Sequence, residues 1–201
     1  ALQILNGDDP DLLQHAAEWH QACWVTAGAR NGLKGIDPEL WVEADQVCNS
    51  SGALFEASAL AMPGKHNLQN LMLAIAVALE CGLSAQQIEI GCRSFPGVPH
   101  RLELLRELRG VSYYNDSKAT NYDAAEVGLR AVQGPVVVLA GGQTKQGDAS
   151  GWLEQLHTKA CSLILFGAGA DELASLAKAA GYPGELLQCP ELESAVNLAE
   201  A

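Results

Sequence analysis

Two stretches decide the fold: PVVVLAGGQTKQGD at 135–148 and SLILFGAGADE at 162–172. Each is a short apolar run that stops abruptly in glycine and polar letters. A helical pattern at 150–160 lies between them and another at 171–180 follows. ELLQC at 185–189 and a last helical pattern at 191–201 complete the series. Apolar strands alternating with helices imply a parallel sheet with crossover connections. The expected class is α/β, with a mostly parallel sheet and flanking helices. In such a sheet ligands gather at the carboxyl ends of the strands.

Upstream, 123–132 is a further helical pattern. LELLREL and VSYYND flank Arg109-Gly110, a hairpin signal. FPGVPHR, 95–101, has two prolines and a glycine, which restrict the chain and mark a linker or hinge. Before it the texture differs. LQILN and CWVTAG read as short strands, with a short helix expected at 11–20 between them. Residues 38–62 read as a meander of short strands. A helix over 67–82 places Leu68, Leu71, Ala74, Ile75 and Leu79 at helical spacing, and Ser84 is placed to cap a second helix, 84–94. The expected boundary falls between 1–97 and 98–201.

The chain has 201 residues, 48% of them hydrophobic, and a net charge of -12, from 12 basic against 24 acidic residues. That balance argues against general binding to nucleic acid or anionic membrane, because both need basic surface. It leaves room for a small anion held by a few local cations. The longest apolar run, LMLAIAVALE, is too short to span a bilayer, and the first residues lack the pattern of a signal peptide. Six scattered cysteines without a CxxC read as buried reduced thiols. The chain opens in a strand pattern and closes in a helix pattern, so it reads as a segment of a longer protein.

Three polar clusters follow strands: NDSKATN after VSYY, GGQTKQGD after VVVLA, and GAGADE after LILF. Gly141-Gly142 lets backbone N–H groups approach a ligand, and Lys145 adds a charge, although a solvated loop lysine is the plainer reading. GxxxxGK[ST] occurs nowhere in the chain. Asn67 and Asn70 share one helix face, suited to reading a heterocycle edge, with helix capping by Asn67 as the alternative. Arg101 suits bidentate phosphate contacts, with a salt bridge to Glu103 as the alternative.

The set PGKHNLQNLMLAIAVA, GVPHRLE, YYNDSKATN and LAGGQTKQGD resembles the ATP-dependent Mur ligases of bacterial peptidoglycan synthesis, strongly from 63 to 148. HNxxN and the arginine after the hinge are shared with folylpolyglutamate ligases. HR-x-E together with NDSKATN picks out the D-glutamate-adding branch. The resemblance implies ligation of D-glutamate to UDP-N-acetylmuramoyl-L-alanine through an acyl phosphate, with ATP and Mg2+, by a cytoplasmic monomer. By resemblance, Asn67 and Asn70 contact adenine, Arg101 reaches the ATP phosphates and Asp116 accepts from the ribose hydroxyls. Lys118, Thr120 and Lys145 bind the carboxylates of D-glutamate, and Arg101 and Lys118 serve catalysis. Asn115, Ser117 and Asn121 are expected to hold the loop. The P-loop and the magnesium ligands are implied upstream of residue 1, and a Ser-Pro-Ala-x-Ala-Ser segment beyond Ala201.

Three rivals remain: a ligase for another amino acid, a dinucleotide-binding Rossmann module, and a non-catalytic binding domain. NDSKATN disfavours the first. A missing GxGxxG disfavours the second, and the three polar clusters are left without purpose by the third.

Overall fold

The structure is a computed structural model describing residues 2–144 and 146–200. The chain forms two compact units, Ala1–Val98 and Pro99–Ala201.

In the first unit β1 (Ile4–Asn6) and β2 (Cys23–Val25) pair in parallel. The stretch expected as one helix at 11–20 is broken. Asp9 caps α1 (Pro10–Gln14) by accepting the N–H groups of Asp11 and Leu12 at 2.9 and 3.2 Å, and a 3-10 turn, Ala16–Glu18, follows. The expected meander forms an antiparallel sheet of β3 (Trp41–Glu43), β4 (Gln46–Asn49) and β5 (Gly52–Glu56).

Two helices cover these strands. α2 (Lys65–Glu80) buries Leu71, Met72, Ile75 and Ala76, two i,i+4 pairs on one stripe. Ala74, expected on that stripe, is exposed, because the stripe turns toward Met72 and Ala76 instead. Val25, Leu40, Val47 and Phe55 complete the core beneath it. α3 (Ala85–Ser94) starts with a capping box. Ser84 Oγ accepts the Gln87 N–H at 3.3 Å, and Gln87 Oε1 accepts the Ser84 N–H at 2.9 Å. Asp8, after β1, accepts the Ala27 N–H at 2.7 Å and meets Lys65 Nζ at 3.3 Å, which ties the loops after β1 and β2 to the start of α2.

The second unit opens with an antiparallel hairpin, β6 (Glu103–Leu108) and β7 (Val111–Asn115). Arg109 and Gly110 have φ of 53° and 80°, the primed-turn geometry that matches strand twist. Next come α4 (Tyr122–Ala131), β8 (Val136–Gly141), α5 (Ser150–Lys159), β9 (Ala160–Phe166), α6 (Ala170–Ala179), β10 (Glu185–Cys189) and α7 (Leu192–Glu200). The sheet order is β10-β9-β8, all parallel, with β9 central. The register aligns Leu186, Leu163 and Val138 in one row, and Cys189, Phe166 and Gly141 at the carboxyl edge. Leu163, Ile164 and Leu165 are fully buried, as a strand covered on both faces requires. Trp152, Leu156, Leu173 and Ala177 pack onto β9.

β7 is the hairpin strand that the Arg109-Gly110 signal announced. It pairs with β6 alone and is not hydrogen-bonded into the parallel sheet. NDSKATN therefore leaves a hairpin strand, because the tight Arg109-Gly110 turn commits VSYY to its immediate neighbour. The cysteines differ from expectation. All six are free, but only Cys48 is buried, while Cys81 and Cys161 are exposed. No helix among the described residues is long and apolar enough to cross a membrane.

Lys159 ends α5 and closes α4. Its ammonium donates to the Leu129, Arg130 and Val132 carbonyls at 2.8, 2.9 and 2.8 Å. These are carbonyls that a helix C-terminus leaves without partners, and a cation there also suits the dipole. Lys159→Met keeps the aliphatic stem and removes these bonds. Urea unfolding should show a loss of about 1–3 kcal/mol, and an unchanged midpoint would remove this capping role. Burial, followed by the charges of Glu39 and Glu80, pushes the Cys23 thiol up to about 11. Alkylation at neutral pH should therefore modify Cys81 and Cys161 first and Cys23 last, with the Cys23 rate still climbing toward pH 11.

Candidate active site

Two turns of the second unit are bolted together. In the His100-Arg101-Leu102-Glu103 turn, His100 and Leu102 have φ of 65° and 45°, conformations that non-glycine residues keep only when surroundings enforce them. The surroundings are the NDSK loop. Asp116 Oδ1 accepts the Leu102 N–H at 2.8 Å, and the Lys118 N–H donates to the His100 carbonyl at 3.0 Å. Glu103 Oε2 closes the turn by accepting the His100 N–H at 2.8 Å. The Arg101–Glu103 bridge weighed above is therefore replaced by a bond to backbone, and Arg101 is exposed on the turn.

The NDSK loop is also braced from within. Asn115 Oδ1 accepts the Ser117 N–H at 3.0 Å, and the Asp116 carbonyl accepts the Ala119 N–H at 2.8 Å. Asn121 Oδ1 caps α4 by accepting the Ala124 N–H at 2.8 Å. The expectation that Asn115, Ser117 and Asn121 serve the loop's own backbone holds, with Ser117 acting through its N–H. Lys118 and Thr120 are exposed, and Asp116 is half-buried. Gly128 of α4 lies directly under the carboxylate, where a Cβ would overlap Asp116 Oδ2. A glycine inside a helical pattern is itself a signal of close approach, and Gly128 could have been singled out on that ground.

At the carboxyl edge of the parallel sheet the loops after β8 and β9 interlock. The Gly169 N–H donates to the Gly142 carbonyl at 2.7 Å, and Thr144 Oγ1 bonds the Glu172 carboxylate. A Cβ at Gly141 would overlap the Phe166 carbonyl oxygen. The small residues of GAGADE thus make a strand-to-helix turn against GGQT. Burial and then the Glu172 charge push the Tyr122 phenol up. The Ser150 N–H, at 2.9 Å, and then the Ser150 hydroxyl hold the Asp148 carboxyl below its usual range. Lys145 lies outside the described residues.

In the first unit, Asn67 is 3% exposed and its Nδ2 donates to the Pro63 carbonyl at 2.6 Å. The capping residue of α2 is Gly64, with φ of 101°, so Asn67 is not the cap. An N-cap side chain accepts from backbone N–H, whereas Asn67 donates to a carbonyl and fixes the Pro63-Gly64 turn. Asn70, one turn on, is exposed. Among the described residues, no group of three or more His, Cys, Asp or Glu side chains is placed to hold a metal.

A parallel sheet with interlocked glycine loops at its carboxyl edge, preceded by a hairpin whose HRLE and NDSK turns are locked together, defines the class. The chain belongs to the Mur ligases: residues 100–201 match the family model described as Mur ligase, glutamate ligase domain. Over 199 residues it is 69% identical to UDP-N-acetylmuramoylalanine--D-glutamate ligase of Synechococcus sp. (strain CC9605), covering 98% of this chain and 43% of the relative. It is 57% identical over 199 residues to the ligase of the same name from Prochlorococcus marinus (strain MIT 9313), with the same coverage. The chain thus spans less than half the length of these relatives. Its fold is similar to that of Mycobacterium tuberculosis folylpolyglutamate synthase, a protein solved with ADP and AMPPCP, at a TM-score of 0.66 and 19% identity. That match covers 94% of this chain and 44% of the other.

Gly128→Ala separates the role of Asp116 from general stability. Alanine gains about 1 kcal/mol of helix propensity, while its Cβ displaces the carboxylate. Global stability should change little, and the Leu102 amide should lose hydrogen-exchange protection. Unaltered protection at Leu102 would show that Asp116 does not hold that turn.

Proposed function

We propose that this segment belongs to an enzyme that ligates D-glutamate to UDP-N-acetylmuramoyl-L-alanine at the expense of ATP. The observation that carries the reading is the locked pair of turns, which sets Arg101, Asp116 and Lys118 on two hydrogen-bonded pieces of backbone. The names of the relatives support it. In this reaction a carboxylate attacks the terminal phosphate of ATP, ADP leaves, and an acyl phosphate forms. The amine of D-glutamate then attacks the acyl carbon, phosphate leaves, and the amine proton passes to solvent or base. Every participant is anionic, so the protein's part is to place a few cations and donors in a closing cleft.

Residues 1–97 would be the latter part of a central ATP-binding domain, and 98–201 a C-terminal Rossmann-like domain. Asn70 would address the adenine edge, with Asn67 holding the turn beneath it and keeping its amide oxygen for the base. Arg101 would meet the ATP phosphates and Asp116 the ribose hydroxyls. Lys118, Thr120 and Lys145 would bind the two carboxylates of D-glutamate. Magnesium would be held by residues upstream of Ala1. The enzyme would act on small molecules in the cytoplasm as a monomer, and the net charge of -12 speaks only against general binding to nucleic acid or anionic membrane.

Phosphate release by the full-length protein should require both UDP-N-acetylmuramoyl-L-alanine and D-glutamate. Lys118→Ala and Lys145→Ala should each raise the KM for D-glutamate by about ten- to a hundredfold, the worth of one charge-assisted contact, and spare that for ATP. Asp116→Asn retains an acceptor for Leu102 and should raise the KM for ATP. The 201-residue segment alone, which contains no P-loop motif, should give only background release. Turnover indifferent to D-glutamate would sink the reading.

A further inference from the structure

The bond between His100 and Asn115 links the two turns through side chains, and its chemistry is fixed by what surrounds it. His100 Nδ1 and Asn115 Nδ2 lie 2.9 Å apart. The orientation of the Asn115 amide is not free, because its oxygen accepts the Ser117 N–H, a donor the backbone cannot reverse. Nδ2 therefore faces His100 as a donor, and Nδ1 must carry a lone pair. The ring proton of the neutral imidazole then sits on Nε2.

We propose that His100, as the neutral Nε2–H tautomer, is a positioning residue that joins the Arg101 turn to the NDSK loop. Its backbone serves the same joint twice. The carbonyl accepts the Lys118 N–H at 3.0 Å, and the N–H donates to Glu103 Oε2 at 2.8 Å. The residue also sits at φ of 65°, so local strain is held in place by these three bonds. One side chain thereby sets the register of Arg101 against that of Lys118.

The joint is a matter of hydrogen-bond chemistry and is testable on this chain, while its consequence for ligand binding rests on the reading proposed above. Long-range 1H–15N correlation spectra of the labelled 201-residue chain should show His100 as the Nε2–H tautomer at neutral pH. Asn115→Asp keeps an acceptor for Ser117 but turns an acceptor toward the ring, so it should move the proton to Nδ1. A purely space-filling histidine would show no such inversion. His100→Phe keeps a ring without an acceptor and should speed exchange of the Lys118 amide by about tenfold or more. His100→Asn restores an acceptor at the δ position, tolerates positive φ, and should recover most of the protection. An Nδ1–H tautomer in the unmodified chain, or a Lys118 amide equally protected in the Phe and Asn variants, would overturn the proposal. In the full-length protein, His100→Phe should raise the KM for ATP and for D-glutamate together, and His100→Asn should restore both. If the wild type shows no D-glutamate-dependent turnover, the function reading fails and the joint stands. If turnover is normal and His100→Phe leaves both constants unchanged, the positioning role fails and the reaction stands.

Discussion

The second unit depends on β9. A strand with neighbours on both edges and cover on both faces must spend every backbone hydrogen bond inside the sheet, and its side chains must be apolar almost without interruption. Leu163, Ile164 and Leu165 meet that demand, with β8 and β10 in parallel register on either side. Parallel register has a consequence at one end only. It brings Gly141, Phe166 and Cys189 level, so the polar loops after all three strands emerge at the same edge. The interlock of GGQT with GAGADE follows from that alignment, since backbones this close leave no room for a Cβ at Gly141.

The hairpin is organised differently. Its strands are largely exposed, and what fixes its base is a set of polar bonds between two turns. Positive φ at His100 and Leu102 costs of order 1 kcal/mol or more at each residue. Bonds to Glu103, Asp116, Lys118 and Asn115 offset that strain, each worth about 1 kcal/mol net and more where a carboxylate accepts. The outcome is a hydrogen-bonded joint from which Arg101, Lys118 and Thr120 stand exposed. Asp116 contributes twice. Under the proposed function its carboxylate would meet the ribose, and it is also a strut of the turn that bears Arg101. Substitutions there disturb more than one group.

Much of the fold was legible in the letters. Ser84 with Gln87, Arg109-Gly110, the helix stripe at Leu71 and Ile75, and the alternation of β8, α5, β9, α6, β10 and α7 are local signals, and each became the element it announced. Local chemistry can be read this way because caps, tight turns and periodicity depend on residues within a few positions of one another. The motif order also carried the family. One miss was decided by a distant partner. Ala74 is exposed because the strands below α2 favour the side of Met72 and Ala76. The helix expected at 11–20 is broken into α1 and a 3-10 turn.

The sequence by itself determined the class of fold, the identity of the polar clusters and the residue types available for chemistry. Only the tertiary structure decided how those residues are used. Asn67 reads equally well as a cap or a ligand-reading amide until the Pro63 carbonyl is seen to occupy its nitrogen. Gly128 reads as a weak spot in a helix until Asp116, twelve positions earlier, is found against it. His100 reads as the neighbour of an arginine until Asn115 fixes which of its nitrogens must stay bare. A side chain's role is set by the donor or acceptor facing it, and that partner is brought by folding from a part of the chain that sequence spacing does not mark.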